Sequence, residues 1–449
     1  MAIVAAGKSR VVPARPRGRA APWIPGAMLI AVAYVSAIGP QALQDRGAAF
    51  AQYGVVDQRL FMPFYLSLAV LAGAIWWVRP AYPARLFDPW LLAFLCWSGF
   101  TVVVSPVPGK AVIGWGKQLV YFLGVAALLV SFRSQRSLVG VLGWTLLAFV
   151  AADVAAVLLR PDVAIHHADD AVEPTLAGLW RGLHPHKAKF GELLAFAVLL
   201  VLAMSRERWR GGRRRWLGLL VVPLIVLMLL AGAKTSLLAL ALSLLLLAGL
   251  RAAALYAPGL LATLVLAPLV VLVAVAAALV MPMLLTGVFG DATLAGRTHL
   301  WGVLWRYAGA HALFGSGYAS FFLGEDGPLF RSGDPMLMRM GNAHNSFLDL
   351  LVTTGWPGAV LGYAALLVVP VAAAYRRLPY DRFARLWVAV ILFGGISSLT
   401  SVTLLQNERA SGLMLTLAYV ALRQFTPAGH AVPPIGARRR MRHRAEACT

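Results

Sequence analysis

The stretch AHNSFLDLLVTTG, residues 343–355, places three polar residues directly before an apolar run. A neutral imidazole can accept a proton from a hydroxyl group, so His344 is a candidate general base, and Asn345 is placed to fix its ring. Ser346 followed by Asp349 matches a capping box, which predicts a helix that starts at about residue 347. The competing interpretation is that His344 and Asn345 only cap this helix.

Two basic side chains elsewhere have the chemistry to bind a phosphate. Arg297 lies in LAGRTHLW, and Lys234 lies in LLAGAKTSLL between two apolar runs with almost no loop. A cation between membrane helices is costly unless it pairs or binds a ligand, and a guanidinium suits phosphate geometry especially well. The alternatives are a loop salt bridge for Arg297 and a lysine that snorkels to the membrane interface for Lys234.

A third polar group lies in RGLHPHKAKFGE, residues 181–192. Its candidate substrate-binding residues are Arg181, His186 and Lys187, whose chemistry suits a phosphate or a sugar. Anchoring of the next helix at the membrane interface is the alternative. Glu192 is expected to pair with one of the nearby lysines.

Other classes of site lack their motifs. Neither Asp-x-Asp nor HExxH spacing occurs in residues 160–189 or 286–349, the two segments that are predicted below to face outward, so we expect no metal. No cofactor motif is present either. The net charge of +22 comes from short basic segments between apolar runs rather than from a basic stripe on a soluble domain, which argues against nucleic acid as a partner.

The elements that must position these residues are membrane helices. Of the 449 residues, 60% are hydrophobic and only 13% are charged, and uncharged apolar runs of membrane-spanning length recur along the chain. The sequence therefore predicts one all-α polytopic membrane domain over 1–449, whose first span is not a cleaved signal. About twelve transmembrane helices are expected, at roughly 22–43, 60–78, 86–105, 111–132, 137–159, 190–204, 216–232, 235–250, 259–285, 350–375, 383–404 and 408–425.

Orientation follows from the basic residues, most of which fall in alternate short segments. This asymmetry predicts cytoplasmic N- and C-termini and two periplasmic loops, at 160–189 and, between helices 9 and 10, at 286–349. Seven of the nine histidines lie in these loops. The larger loop contains residues 297–315, for which we expect a helix in the membrane interface with Trp301, Trp305 and Tyr307 facing inward.

Three segments together resemble the O-antigen ligase superfamily, which also contains lipid-linked polysaccharide polymerases. His344-Asn345, nine further residues and then Gly355 resemble the family's His-Asn-x9-Gly signature. TLAGRTHLW with LFGSGYASFF resembles the start of the family's large periplasmic loop, and RGLHPHKAKFGELLA resembles its histidine-rich segment. Lys234 stands where the family usually has arginine, and Ala188 where the polymerase-like pattern often has asparagine.

The resemblance implies a glycosyltransferase of the inner membrane. Its donor would be an undecaprenyl-pyrophosphate-linked glycan, and its acceptor lipid A core or a lipid-linked glycan. By position, His344 would be the general base on the acceptor hydroxyl, and Arg297 would bind the donor pyrophosphate. A cationic clamp on a good leaving group replaces a metal ion, and direct displacement would invert the anomeric centre.

Two alternatives stay open from the sequence. The HPHK segment favours a polymerase, whereas the overall loop pattern favours a ligase. From a different class, a twelve-helix transporter would use Lys234, Asp153 and Glu192 as pathway residues, although no internal repeat supports it.

Overall fold

The computed structural model describes most of the chain between residues 24 and 425. The described residues are 24–39, 61–78, 86–132, 134–168, 176–206, 208–209, 212–213, 215–256, 297–323, 327–332, 334, 337, 340–407 and 409–425. The predicted ninth span, 259–285, and the basic termini lie outside them.

The described residues are helical, apart from a minimal hairpin of Arg208–Trp209 with Gly212–Arg213 and the connecting segments. The helices are α1 (Ile24–Ala37), α2 (Met62–Val78), α3 (Pro89–Val103), α4 (Pro108–Val130), α5 (Gln135–Leu159), α6 (Lys187–Ser205), α7 (Val221–Leu230), α8 (Lys234–Tyr256), α9 (Arg297–Ala310), α10 (Ser346–Tyr363), α11 (Arg382–Ser397) and α12 (Ala410–Gln424). Short helical segments are Pro161–Ala164, Arg215–Leu220 before α7, Phe330–Ser332, and Ala364–Val368, Val369–Ala374 and Tyr375–Arg377, which continue α10.

Five helices are long and apolar enough to cross a membrane: α4, α5, α6, α8 and the continued α10, Ser346–Arg377. Four shorter apolar helices accompany them, namely α1, α2, α3 and Arg215–Leu230. The all-helical membrane class is therefore as predicted. Each of the eleven predicted spans that reach the described residues contains a helix, while the count of twelve and the loop between helices 9 and 10 stay predictions.

Several predicted boundaries differ from the helix ends by a few residues, and the largest difference is at the end of α11. The predicted span 383–404 ends at Ser397, because the chain leaves the helix there and residues 398–404 form a non-helical connection to α12. Its hydroxyl-rich sequence SLTSVTL is apolar enough on average to extend a hydropathy window beyond the helix. We call residues 398–404 the connection.

The helix ends collect at two ends of the molecule. At one, Arg423 of α12 donates a hydrogen bond of 2.8 Å to Asp88, just before α3. At the other, the N–H of Ser346, where α10 begins, donates to the carbonyl of Ser398, just after α11 (2.8 Å). This second end, the His344 end, holds the last residues of α1, α3, α5, α7 and α11 and the first residues of α4, α6, α8, α10 and α12.

α6 lies at the centre of the helices. Every side chain from Phe190 to Val201 is buried, which fits a helix that is apolar on all its faces and surrounded by other helices. Because α6 is fixed on all sides, the residues of its first two turns are held in place at the His344 end.

α9 packs with an aliphatic face. Leu300, Leu304 and Ala308 are buried at helical spacing, whereas the Trp305 side chain is 47% exposed. A helix forms here as predicted but ends at Ala310, and its place in the membrane interface stays a prediction. The expectation that its aromatic side faces inward is wrong for Trp305, because the aliphatic residues take the buried face and Trp305 packs on Trp356.

α10 is broken at Gly355, whose backbone has φ 69° and ψ −177°, a region that is open essentially to glycine alone. A Cβ atom there would overlap the carbonyl oxygen of Leu313. The break lets the turn after α9 dock on α10, where the N–H of Trp356 donates to the carbonyl of Ala312 at 2.8 Å. Gly315 has φ 62° and makes the reciprocal close approach to Val352. The two glycines therefore set the position of α9 relative to His344.

We predict that Gly355→Ala lowers the thermal unfolding temperature of the purified protein in detergent. The strained backbone alone costs on the order of 1–3 kcal/mol, and the overlap with Leu313 adds to it. Gly73→Ala in α2 is the matched control, since nothing lies within 4 Å of its Cβ position. Equal unfolding temperatures for the two variants would contradict the role given to Gly355.

Candidate functional site

Arg297 and Trp301 lie one turn apart on one face of α9, and each reaches a different backbone segment. Nη1 of Arg297 donates a hydrogen bond of 3.0 Å to the carbonyl of Thr400 in the connection. Nε1 of Trp301 donates one of 2.9 Å to the carbonyl of Ala343, next to His344. Residues at i and i+4 share a helix face, so α9 holds the connection and the His344 turn beside each other.

His344 has a left-handed backbone, with φ 50°. Such a conformation costs an L-residue roughly 1–2 kcal/mol, and persists only where neighbours fix it. Here the N–H of His344 donates to Oδ1 of Asn342 at 2.9 Å, and the N–H of Ala343 donates to Oδ1 of Asp349 at 3.1 Å. The His344 side chain is half-buried, and so is that of Arg297. The backbone of the His344 turn is thus fixed, and the side chains of His344 and Arg297 are both partly accessible.

The helix that follows His344 is capped by Asn345. Its Oδ1 accepts hydrogen bonds from the N–H groups of Phe347 and Leu348 at 2.9 and 3.1 Å, and its Nδ2 donates to the carbonyl of Leu399 at 3.0 Å. The predicted capping box of Ser346 with Asp349 is therefore wrong by one residue. The side chain of Asn345 therefore caps α10 and joins the start of this helix to the connection.

Ser346 is used differently from the prediction. Its hydroxyl accepts hydrogen bonds from the N–H groups of Thr403 and Leu404, at 2.9 and 3.3 Å, and donates to the carbonyl of Ser401 at 3.3 Å. The side chain is 1% exposed. Ser346 therefore fastens the start of α10 to the connection.

A second arginine, which the sequence analysis did not single out, binds to the connection. Nη1 of Arg409, the residue just before α12, donates a hydrogen bond of 3.0 Å to the hydroxyl of Ser401. Arg409 falls inside the predicted span 408–425, so hydropathy alone gave it no role. The available signal was an arginine at the start of a predicted span, which needs a partner or a ligand.

The segment between α5 and α6 is fastened by a buried pair that the sequence did not reveal. His184 and Asp153 are both fully buried; Nε2 of His184 lies 3.2 Å from Oδ2 of Asp153, and its Nδ1 lies 3.0 Å from the carbonyl of Ala37. Residues 31 positions apart cannot be paired from sequence spacing.

The predicted substrate-binding residues of this loop make hydrogen bonds within the loop and at the start of α6. Arg181 is 4% exposed, and its Nε donates to the carbonyl of Val163 at 3.0 Å. His186 is the N-cap of α6, where its Nδ1 accepts the N–H of Ala188 at 3.0 Å. The N–H of Lys187 donates to Nε2 of His166 at 3.3 Å. No contact among these joins the loop to His344 or Arg297, so their substrate-binding role stays a prediction.

α6 separates Lys234 from Arg409. Lys234 is exposed at the first residue of α8, and Gly191 packs against that start, since a Cβ there would lie 2.5 Å from Ala233. The next residue, Glu192, interacts electrostatically with Arg409 first and with Lys189 and His184 less strongly. Its Oε2 is buried and has no hydrogen-bond partner among the described residues. The predicted lysine pair of Glu192 is thus replaced by longer-range interactions.

Tyrosines near α9 do not compete with His344 as proton acceptors. Burial raises the pKa of Tyr307, although a hydrogen bond from Ser316 opposes the shift, and burial raises the pKa of Tyr318. Both phenols therefore stay neutral at ordinary pH. Within the described residues, no group of three or more His, Cys, Asp or Glu side chains is placed to hold a metal ion.

Residues 219–363 match the protein-family model described as O-Antigen ligase. The matched segment contains Lys234, Arg297, His344 and Gly355, and it ends before the connection and Arg409. The match confirms the resemblance to the O-antigen ligase superfamily and indicates a ligase- or polymerase-type membrane glycosyltransferase family, which implies lipid-linked glycan substrates. No curated protein matches the chain.

We predict that Asn345→Ala loses both the helix cap and the bond to Leu399. Loss of a cap costs about 0.5–2 kcal/mol, which a lower thermal unfolding temperature in detergent would register. Asn345→Ser keeps a capping oxygen without the bond to Leu399, so its unfolding temperature is expected between those of Asn345→Ala and the wild type. An unfolding temperature of Asn345→Ala equal to that of the wild type would contradict a stabilising role of the Asn345 side chain.

Proposed function

We propose that the protein is an inner-membrane glycosyltransferase of the O-antigen ligase type. It transfers a glycan from undecaprenyl pyrophosphate to an acceptor hydroxyl at the periplasmic face, where the His344 end would lie if both termini are cytoplasmic. The family match over residues 219–363 supports the class of reaction. The acceptor is lipid A core or another lipid-linked glycan.

One observation carries this proposal: α9 holds Arg297 and the His344 turn on one helix face. Arg297 donates to Thr400, and Trp301 donates to Ala343, the residue before His344. This arrangement supports a role of His344 as the general base and of Arg297 as the cation that binds the phosphate. A transfer from a pyrophosphate to a hydroxyl needs these two groups, because the nucleophile must lose a proton and the leaving group gains negative charge.

In the proposed reaction, the imidazole of His344 accepts the proton of the acceptor hydroxyl as its oxygen attacks the anomeric carbon. The bond between that carbon and the pyrophosphate oxygen breaks, and undecaprenyl pyrophosphate leaves with the electron pair. Arg297 stabilises the charge that develops on the leaving oxygen. A positioned base contributes roughly 10²–10⁴-fold to such a step, and no divalent ion is required in this scheme.

The polymerase alternative uses the same chemistry with a lipid-linked repeat unit as acceptor. The HPHK segment, which favoured it in the sequence, contains the buried His184 and the helix cap His186, so these histidines have structural roles whatever the acceptor is. The ligase type therefore stays our proposal.

The transporter alternative loses its main support. Asp153 lies within two turns of the end of α5, and Glu192 lies in the second turn of α6, so both are near the His344 end. Lys234 begins α8 at the same end. Transporter sites are built near the middle of the membrane.

We predict that His344→Asn reduces glycan transfer by about 10²–10⁴-fold, while the protein folds normally. Asparagine tolerates the left-handed backbone but cannot act as the base. Transfer would be followed in purified protein with a lipid-linked glycan donor. His299→Asn is the matched control, because His299 pairs with Asp334 on another face of α9.

Normal transfer by His344→Asn would overturn the assignment of the base. In host membranes, loss of lipopolysaccharide decoration with accumulation of long lipid-linked chains indicates a ligase. Accumulation of single repeat units indicates a polymerase and would replace the acceptor proposed above.

We also predict that the product carries the inverted anomeric configuration, since a single direct displacement attacks the face opposite to the leaving group. Nuclear magnetic resonance of the new linkage, compared with that of the donor linkage, measures this outcome. Retention of configuration would contradict direct displacement and would require a covalent glycosyl intermediate.

A further inference from the structure

We propose that Arg409 is a second guanidinium for the donor pyrophosphate, acting beside Arg297. This inference rests on the proposed function, because it concerns the same donor site. It goes beyond the family match, which ends at residue 363.

The two arginines meet on neighbouring residues of the connection. Arg297 donates to the carbonyl of Thr400 at 3.0 Å, and Arg409 donates to the hydroxyl of Ser401 at 3.0 Å. Consecutive Cα atoms are about 3.8 Å apart, so the two anchoring groups lie close together. The two guanidinium groups come from different helices, since Arg297 begins α9 and Arg409 immediately precedes α12.

Arg409 has hydrogen-bonding capacity to spare. A guanidinium has five N–H donors, yet among the described residues Arg409 donates a single hydrogen bond and forms no ion pair. Its electrostatic partners Asp349 and Glu192 act on it without a direct contact. The side chain is half-buried, so the remaining donors can reach a ligand.

The surroundings of Arg409 fit an anion. α12 starts at the next residue, and no side chain caps its N-terminus, so the positive end of the helix lies beside the guanidinium. A pyrophosphate has two phosphate groups, and two arginines on adjacent anchors can each bind one of them.

The test is a titration of the purified full chain in detergent with undecaprenyl pyrophosphate and, separately, with undecaprenyl phosphate. In Arg409→Gln we expect the affinity for the pyrophosphate to fall about 10- to 100-fold, as for loss of a charged hydrogen bond. The affinity for the monophosphate should fall much less. A purely structural role would not change the preference for two phosphates over one.

Arg306→Gln is the matched control, because Arg306 is exposed on α9 and the substitution removes the same charge. Equal weakening by Arg306→Gln and Arg409→Gln would overturn the proposal, since net charge would then explain the loss. Unchanged pyrophosphate affinity in Arg409→Gln would also overturn it.

Two further variants keep the outcome decisive. Arg409→Lys retains the charge if Arg409→Gln fails to fold, and we expect it to lose pyrophosphate affinity by a smaller factor; wild-type affinity in it overturns the proposal. Arg297→Gln tests the proposed function separately. If only Arg297→Gln loses binding, the role of Arg409 fails and that of Arg297 stands, whereas normal binding by Arg297→Gln refutes the donor site itself.

Discussion

The backbone of the connection, residues 398–404, is the constraint on which the site depends. Because these residues leave the helical ladder after Ser397, their carbonyl and N–H groups must find other partners. They find them in side chains from two helix starts, namely Arg297 and Asn345 with Ser346. A third helix start, Arg409, donates to the side-chain hydroxyl of Ser401 in the same segment. A segment without regular structure thereby becomes the common anchor for the groups that would carry the chemistry.

Backbone strain is concentrated at the same end. Within the described ranges, the non-glycine residues with positive φ are Ala319, His344 and Leu405, and all three lie in segments that join helices at the His344 end. Strained conformations persist where the surrounding structure determines them. The hydrogen bonds around His344, and the close glycine contacts at Gly315 and Gly355, supply that determination. The backbone that carries His344 is thus fixed in the absence of substrate.

Local sequence patterns predict much of this architecture. Apolar runs predict the helices, and the spacing from His344 to Gly355 identifies the segment whose glycine the structure then explains by the close approach of Leu313. What could not be predicted depends on distant contacts. The end of α11 could not be predicted, because SLTSVTL is apolar on average. The contact of Arg409 could not be predicted, because this residue falls within a predicted span. The pairing of Asp153 with His184 could not be predicted, because the two residues come from different elements.

The most direct test of the central claim is a cryo-electron microscopy structure of the full chain with bound undecaprenyl pyrophosphate in a lipid nanodisc. We expect the diphosphate to contact the guanidinium of Arg297 at the His344 end, with the imidazole of His344 facing the position of the anomeric carbon. A diphosphate bound away from Arg297, or at the end of the molecule where Arg423 meets Asp88, would contradict it.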